Sequence, residues 1–215
     1  MSEKILIIGK TSKIAKEFIK KLSKSTSVFN PSKTEWDMKD LNFNLSKINH
    51  IKKMDKILLL QSVISSTPIL NRKSSDILEQ VSINLLSVIK VCEIALQYNK
   101  FVKIIILGSE SGFKGSFDIV YALSKAAVHK YVEERKIRFP KQQLLCIAPS
   151  TIIDANITIK RKDNYNVAKS IKSNPKKRGI LSKEVSNLIY SLFFEQTDYL
   201  TNAVIKLDGG KFARM

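Results

Sequence analysis

The sequence predicts an α/β fold, in which one doubly wound parallel sheet carries helices on both faces. Short aliphatic runs recur along the chain, and between them apolar residues return every three or four positions. The runs are apolar throughout rather than alternating, which is typical of parallel strands buried on both faces. No linker or repeat divides this alternation of strands and helices, so we expect a single domain over residues 1–215.

The strands follow from the aliphatic runs, taken in chain order. Ile, Leu and Val fill residues 5–8 and 57–60, and they dominate residues 102–107. A shorter run at 28–29 ends at Asn30-Pro31-Ser32, a composition that favours a turn. With two further runs toward the C-terminus, the predicted strands are residues 5–8, 28–29, 57–60, 102–107, 144–148 and 204–207.

The helices follow from apolar residues that are spaced to share one helix face. This spacing covers residues 14–22, 41–54, 75–98, 121–138 and 185–194. Residues 150–179 have no clear periodicity, and they follow a strand end, where open α/β sheets bind ligands. We interpret this segment as a mobile flap over a substrate site. The alternative is a disordered surface insertion.

Composition excludes several classes of protein. With 44% hydrophobic and 26% charged residues, the chain has the composition of a globular domain with a full core. No apolar run approaches the roughly 20 residues that cross a bilayer, and Met1 leads directly into a strand, so we expect no membrane span and no signal peptide. Cys92 and Cys146 lie in apolar patterns, and His50 and His129 lack ligand spacing. We therefore expect no zinc site and a reducing, cytoplasmic location.

The net charge of +18 raises the question of nucleic-acid binding. Only six of the 37 basic residues are arginines, and the lysines are spread over every segment. The densest clusters, 160–162 and 176–178, have no aromatic stacking motif beside them. We therefore do not expect a nucleic-acid partner, and we interpret the charge as a surface that attracts anionic cofactors or substrates.

Tyr121 and Lys125 lie four residues apart in a predicted helix, so their side chains share one helix face. An adjacent ammonium lowers the pKa of a tyrosine, which lets the phenol exchange a proton with a carbonyl oxygen near neutral pH. In a lysine-rich chain this pair alone is a weak pattern. The alternative is a partly buried ring beside a solvated lysine.

With its surroundings, the pair resembles the signature of the short-chain dehydrogenase/reductase family. Small residues follow Lys125, Ser109 lies twelve residues before Tyr121, Asn84 lies within the long predicted helix, and Lys206-Leu-Asp-Gly-Gly210 resembles the family ending. The partial matches keep the family order along essentially the whole chain. The resemblance implies a Rossmann-like fold. It also implies an NAD(P)-dependent oxidoreductase that interconverts a ketone and a secondary alcohol, as a ketoreductase on a small or sugar-like substrate.

The resemblance implies a catalytic set of Asn84, Ser109, Tyr121 and Lys125. Tyr121 would protonate the carbonyl, Lys125 would lower the phenol's pKa and hold the ribose hydroxyls, and Ser109 would orient the carbonyl. Asn84 would anchor a water that links Lys125 to solvent. Two alternatives remain open: Ser111 could replace Ser109, and Asn84 could be a core amide bonded to backbone.

The resemblance also implies cofactor contacts at the carboxyl ends of the strands. The turn that begins at Gly9 resembles a phosphate-binding loop, in which a helix N-terminus holds the pyrophosphate. Asp37 resembles the acid that receives the adenine amino group. Ser32 and Lys33 could accept a 2′-phosphate, which favours NADP over NAD. The expected cofactor contacts are Gly9, Thr11, Ser12, Lys13, Ile14, Ser32, Lys33, Asp37, Gln61, Tyr121, Lys125, Pro149 and Ile152.

Several residues depart from the family pattern. Lys13 and Ala15 occupy two family glycine positions, and Asp154 replaces a threonine. Lys13 either crowds the pyrophosphate or turns outward and adds a favourable charge. The segment between Phe29 and Trp36 is too short for a full crossover helix. The degenerate loop supports a second hypothesis, in which the chain is a catalytically inactive member that serves as a binding or scaffolding subunit.

Two expectations concern partners. Lysines 160, 162, 169 and 172 in the flap favour an anionic small molecule, such as a phosphorylated or nucleotide-linked sugar, as the carbonyl or alcohol substrate. The helices at 75–98 and 121–138 carry more apolar positions than one sheet face can cover. In the family such helices pair across a two-fold axis, so we expect a homodimer or homotetramer that a charge at Ile89 or Val128 weakens.

Overall fold

Six parallel strands form one sheet, in the order β2-β1-β3-β4-β5-β6. The computed structural model describes residues 2–159, 164–195 and 197–212. Each predicted strand is present and differs by no more than one residue at either end. The strands are β1 (Lys4–Ile8), β2 (Ser27–Phe29), β3 (Lys56–Leu59), β4 (Lys103–Leu107), β5 (Gln143–Pro149) and β6 (Ala203–Leu207).

The strand order creates a crevice between β1 and β3. The chain leaves β1 for β2 on one side and returns to β3 on the other, and such a switch point opens a ligand crevice at the carboxyl ends of the strands. Sheets of this type commonly have one more strand outside the second. Here residues 30–44 contain neither helix nor strand, in agreement with the short Phe29–Trp36 segment noted in the sequence.

Helices cover both faces of the sheet because alternate strand residues point to opposite sides. The helices are α1 (Lys13–Ile19), α2 (Leu45–Lys52), α3 (Ser74–Val81), α4 (Ser87–Tyr98), α5 (Ser111–Lys114), α6 (Ile119–Glu134), α7 (Asn156–Ile159), α8 (Asn164–Lys172) and α9 (Ser182–Phe194). Leu6 and Ile8 of β1 pack into one core with α4 and α6, and Ile5 and Ile7 pack into the other with α1 and α9.

Side-chain caps shift the helix ends from the bounds that periodicity predicts. The helix expected over 41–54 is only α2, because the Asn44 side chain caps its start by accepting the Lys47 N–H (2.9 Å). The helix expected over 121–138 is α6, which begins earlier because Asp118 caps it. It also ends earlier, where the Asn202 side chain donates to the carbonyls of Val132 and Arg135.

One further sequence prediction needs correction. The helix expected over 75–98 is interrupted by a π turn at Ser82–Leu86, which places Asn84 in a widened turn between α3 and α4. Within the described residues, the segment 150–179 contains α7 and α8, which are too short and polar to show a clear period. Its interpretation as a mobile flap stays a prediction. Lys160 and Lys162 lie outside the described residues.

The expectation for Val128 was wrong. Its side chain is fully buried in the core, so a charge there would destabilise the fold and would not test an interface. Among the described residues, none of the helices combines the length and apolar character that a membrane crossing requires.

Candidate active site

A cleft of about 1050 Å³ opens at the carboxyl ends of β1, β3, β4 and β5. This volume is at the upper end of the range typical of small-molecule sites. Of the residues predicted from the sequence, Asn84 does not line the cleft. Those that do are Gly9, Thr11, Ser12, Lys13, Ile14, Ser32, Lys33, Asp37, Gln61, Ser109, Ser111, Tyr121, Lys125, Pro149 and Ile152.

The turn between β1 and α1 requires a glycine. Gly9 has a φ of +113°, and a β-carbon placed on it would lie 3.0 Å from Cβ of Leu60 and 3.2 Å from its carbonyl carbon. The turn closes when the Ser12 N–H donates to the Gly9 carbonyl at 2.9 Å. The absence of a side chain at Gly9 therefore lets this turn pack closely against the end of β3, although only one glycine of the family pattern that the sequence resembles is present.

Lys13 lines the cleft and pairs with Asp154, with 3.0 Å between Nζ and Oδ2. The other carboxylate oxygen of Asp154 accepts the backbone N–H and the hydroxyl of Ser182, at 2.7 and 2.8 Å. Burial alone would raise the pKa of Asp154, but the bonds from Ser182 and Lys13 outweigh it and lower that pKa. Two departures from the family pattern thus compensate each other's charge.

The end of the cleft beside β2 contains charges of both signs. The Ser32 hydroxyl and N–H both donate to the Glu35 carboxylate, at 2.7 and 2.6 Å. Lys33 lies 3.9 Å from Glu79, and Asp37 accepts the Lys39 N–H at 3.1 Å. The sequence interpretation missed Glu35, whose carboxylate lies beside the hydroxyl that was expected to accept a 2′-phosphate.

Gln61 supports a polar ligand in this cleft. Both polar atoms of its side chain, and the Ser62 hydroxyl, are buried without a hydrogen-bond partner in the described part of the chain. Such groups cost about 1–3 kcal/mol each when they remain unsatisfied. Both residues lie at the end of β3 and line the cleft. A ligand with sugar or phosphate oxygens would satisfy them, so the residues present fit a nicotinamide dinucleotide.

Tyr121 and Lys125 lie together in α6, as their spacing predicts. The Lys125 Nζ lies 5.7 Å from the centre of the Tyr121 ring and donates to the Leu107 carbonyl at 2.8 Å. Lys125 is 2% exposed. Burial lowers the pKa of Lys125 to about 8, because desolvation disfavours the ammonium. The site therefore holds a cation that releases its proton far more easily than a surface lysine.

Ser109 and Ser111, the two candidates for orienting a carbonyl, both line the cleft. The Ser111 N–H donates to the Ser109 hydroxyl oxygen at 3.1 Å, which fixes that oxygen and leaves its proton free to be donated. The backbone N–H of Ser109 points to Nε2 of His129 at 3.4 Å. Burial, and secondarily the charge of Lys125, lowers the pKa of His129 to about 4, so the ring is a neutral acceptor near pH 7.

Asn84 matches the alternative that the sequence left open, a core amide bonded to backbone. Its Oδ1 accepts the Val63 N–H and its Nδ2 donates to the Val63 carbonyl, both at 2.8 Å. The side chain is fully buried and pins the loop after β3 to the π turn. This contact explains why an asparagine lies inside an apolar helix.

A buried network at the start of α6 was missed from the sequence. The Asp118 Oδ1 accepts the Tyr121 N–H at 3.2 Å, and its Oδ2 accepts from the Ser65 N–H (2.8 Å) and the Gln80 side chain (2.6 Å). Arg72 lies 3.5 Å from the same carboxylate. Asp118 lies three residues before Tyr121, a helix-cap position, but its partners are distant in sequence and carried no signal.

The segment after β5 contributes residues to the cleft. Ile152, Ala155 and Asn156 line it, and the Asn156 side chain donates to the Thr11 carbonyl at 2.9 Å. Ser170 of α8 bonds Thr151 at 2.8 Å. The segment is therefore next to the cleft, and Asn156 connects it to the turn after β1; its role as a flap over a substrate stays a prediction.

Comparison with known proteins shows the fold. No family model and no curated protein matches the chain. Solved structures do match. A short-chain dehydrogenase family protein from Francisella tularensis has a TM-score of 0.84 at 20% identity, with both chains fully covered. The aldohexose dehydrogenase of Thermoplasma acidophilum has a TM-score of 0.78 at 15% identity, covering 100% of this chain and 95% of the other. BdcA in complex with NADPH has a TM-score of 0.77 at 15% identity, covering 97% and 94%. The chain therefore has the Rossmann-like fold of short-chain dehydrogenases/reductases.

Proposed function

We propose that the protein is an NAD(P)-dependent short-chain dehydrogenase/reductase that interconverts a ketone and a secondary alcohol, as a ketoreductase on a small or sugar-like substrate. The proposal rests on one arrangement: Ser109, Tyr121 and Lys125 line the same cleft as the turn at Gly9. A cleft that contains both proton-transfer groups and a glycine turn suits a dinucleotide cofactor bound beside a carbonyl substrate. The NADPH complex of BdcA, which shares this fold, supports the same class of cofactor.

The cofactor would lie along the carboxyl ends of the strands. Backbone groups at Thr11 and the start of α1 would hold the pyrophosphate, and Gln61 would meet the adenosine side with its unsatisfied amide. Pro149 and Ile152 would pack against the nicotinamide side. When bound, the nicotinamide supplies the hydride of a reduction.

Three side chains of this protein would complete the chemistry. Tyr121 would give its phenol proton to the carbonyl oxygen of the substrate, and Ser109 would donate a hydrogen bond to the same oxygen. Lys125 would stabilise the phenolate left on Tyr121, because its ammonium is buried beside the ring. Asn84 would act indirectly, by holding the loop after β3 in place.

A binding titration followed by a turnover assay tests the proposal. Purified protein should raise the fluorescence of NADPH or NADH on binding, and NADPH oxidation should follow addition of ketones or oxidised sugars. Tyr121→Phe keeps the ring and should reduce turnover by about 10² or more, with little effect on cofactor affinity. Tyr98→Phe is the matched control, because Tyr98 lies at an exposed helix end outside the cleft. Unchanged turnover in Tyr121→Phe would exclude the assigned role.

The second hypothesis, a binding or scaffolding subunit without turnover, is favoured by the single retained glycine in the turn after β1. The same titration separates the two hypotheses. Absence of binding by either nucleotide at millimolar concentration would support the scaffolding role. Binding without turnover for any carbonyl tested would support a cofactor-regulated scaffold.

A further inference from the structure

A buried group of charges lies at the substrate end of the cleft, beside Ser109. Lys114 lies 2.8 Å from Oε1 of Glu110, and Lys211 lies 3.4 Å from Oε2. The Lys211 Nζ also donates to the Ser170 hydroxyl at 2.9 Å. We call Lys114 and Lys211 the lysine pair. The side chains of Lys211 and Glu110 are only 9% and 7% exposed.

The lysine pair has more positive charge than its surroundings neutralise. Two ammonium groups share one carboxylate, and Lys169 adds a third cation to the same wall. Among the described residues that line the cleft, the only other acid is Asp37, at the end beside β2. Burial lowers the pKa of Lys211; the charge of Glu110 opposes this shift and that of Lys114 adds to it. With two ammonium groups beside one carboxylate, the net charge of the group is positive, and it would attract an anion.

We infer that the lysine pair binds an anionic group of the substrate, a carboxylate or a phosphate. The inference deepens the proposed function and rests on it. Ser109, Glu110 and the lysine pair all line the cleft. The anionic group would therefore share the cleft with the reacting carbonyl. Short oxo acids and phosphorylated ketoses carry both groups in one small molecule.

Matched substrate pairs test the inference. We compare 4-oxopentanoate with its methyl ester, and dihydroxyacetone phosphate with dihydroxyacetone. Both anionic members should have the higher kcat/KM in the unaltered protein. Lys211→Met and Lys114→Met each remove the positive charge and keep a side chain of similar length. Each variant should raise KM for the anionic substrate of a pair about tenfold or more, and should change KM for the neutral substrate much less. A preference for only one pair identifies whether the group is a carboxylate or a phosphate.

Two variants sharpen the test. Lys172→Met is the matched control, because Lys172 lies on α8 but does not line the cleft. Glu110→Gln removes the competing negative charge and should lower KM for the anionic member. Equal effects of Lys211→Met on both members of a pair would show that Lys211 only supports the structure, and would overturn the inference.

A second measurement does not depend on turnover. The melting temperature of the protein with saturating NADPH is compared in phosphate and in chloride at equal ionic strength. Phosphate should stabilise the unaltered protein, and Lys211→Met should lose that increment. No difference between the anions, together with no preference within either substrate pair, would overturn the inference. Failure of the proposed function is separate, because it appears as absence of NADPH binding in the titration.

Discussion

Lys13, which lines the cleft, forms an ion pair of 3.0 Å with Asp154. A lone carboxylate here would repel the phosphates of the proposed cofactor, and the Lys13 ammonium offsets its charge. Together they neutralise each other and connect the start of α1 to the segment after β5.

A double-mutant cycle on this pair tests the coupling. Lys13→Ala should weaken NADPH binding by roughly three- to tenfold, because it leaves the Asp154 carboxylate unpaired near the phosphates. Asp154→Asn keeps the acceptor for Ser182 and should bind NADPH as well as or better than the unaltered protein. In the double variant, the NADPH affinity that Lys13→Ala removes should be largely restored. Simple additivity of the two effects in a fluorescence titration would contradict the coupling.

Cofactor preference should depend on the charges around Ser32. We expect NADPH to bind more tightly than NADH. Lys33→Ala should reduce the difference in affinity between NADPH and NADH, because it removes a cation beside the expected 2′-phosphate. Glu35→Gln should increase that difference, because the Glu35 carboxylate accepts from Ser32 and repels a phosphate there. Titrations with both nucleotides measure the ratio, and equal affinities in the unaltered protein would contradict the preference.

Asp118 should matter for catalysis as well as stability. Asp118→Ala removes the cap of α6 and leaves Arg72 with a buried, unpaired charge, so we expect a loss of ~3 kcal/mol of unfolding free energy. Turnover should fall at least tenfold at a temperature where the variant is folded, because Tyr121 lies in the first turn of that helix.

The matched control for Asp118 is Asn44→Ala, which removes the side-chain cap of α2, outside the cleft. It should cost ~1 kcal/mol and leave kcat unchanged. Urea denaturation and steady-state kinetics measure the two effects. An Asp118→Ala variant that is destabilised but fully active would show that the network does not position Tyr121.

His129 should make stability depend on pH in the acidic range. Its pKa is about 4 in the folded chain against 6.5 ordinarily, so between these values the unfolded chain binds more protons. Stability should therefore fall as pH decreases from about 6.5 toward 4, by ~1–2 kcal/mol between pH 7.5 and 5. The His129→Gln variant should not show this pH-dependent fall in stability. The His50→Gln variant should still show it, because the His50 side chain is exposed. Urea curves with the same midpoint at both pH values would contradict the assignment.

We expect copies of the protein to associate through α6. Leu123 and Ile119 lie four residues apart on α6 and are 62% and 46% exposed, which leaves an apolar face on the helix that carries Tyr121. We expect a dimer or tetramer at micromolar concentration, weakened by Leu123→Asp. Phe101→Asp is the control, because Phe101 is 61% exposed in the turn before β4. Light scattering that reports a 24.4 kDa particle throughout would exclude this assembly.

The sequence by itself predicted the sheet and several of the residues that line the cleft. Buried parallel strands need aliphatic residues on both faces, so each strand was visible as a mainly aliphatic run to within one residue. Tyr121 and Lys125 were found together because helix geometry makes four-residue neighbours share a face. These features depend on local spacing, which a sequence states directly.

Only the tertiary structure decided the charge partners and the helix interruptions. Lys13 with Asp154, Asp118 with Arg72, and Lys211 with Glu110 join residues that lie far apart in the sequence, and local spacing does not predict such pairs. The contact of Asn84 in the π turn is of the same kind, since its side chain bonds the backbone of Val63, 21 residues away. Local periodicity is set by one helix or strand, whereas a buried charge takes its partner from whichever neighbour the fold brings within about 4 Å.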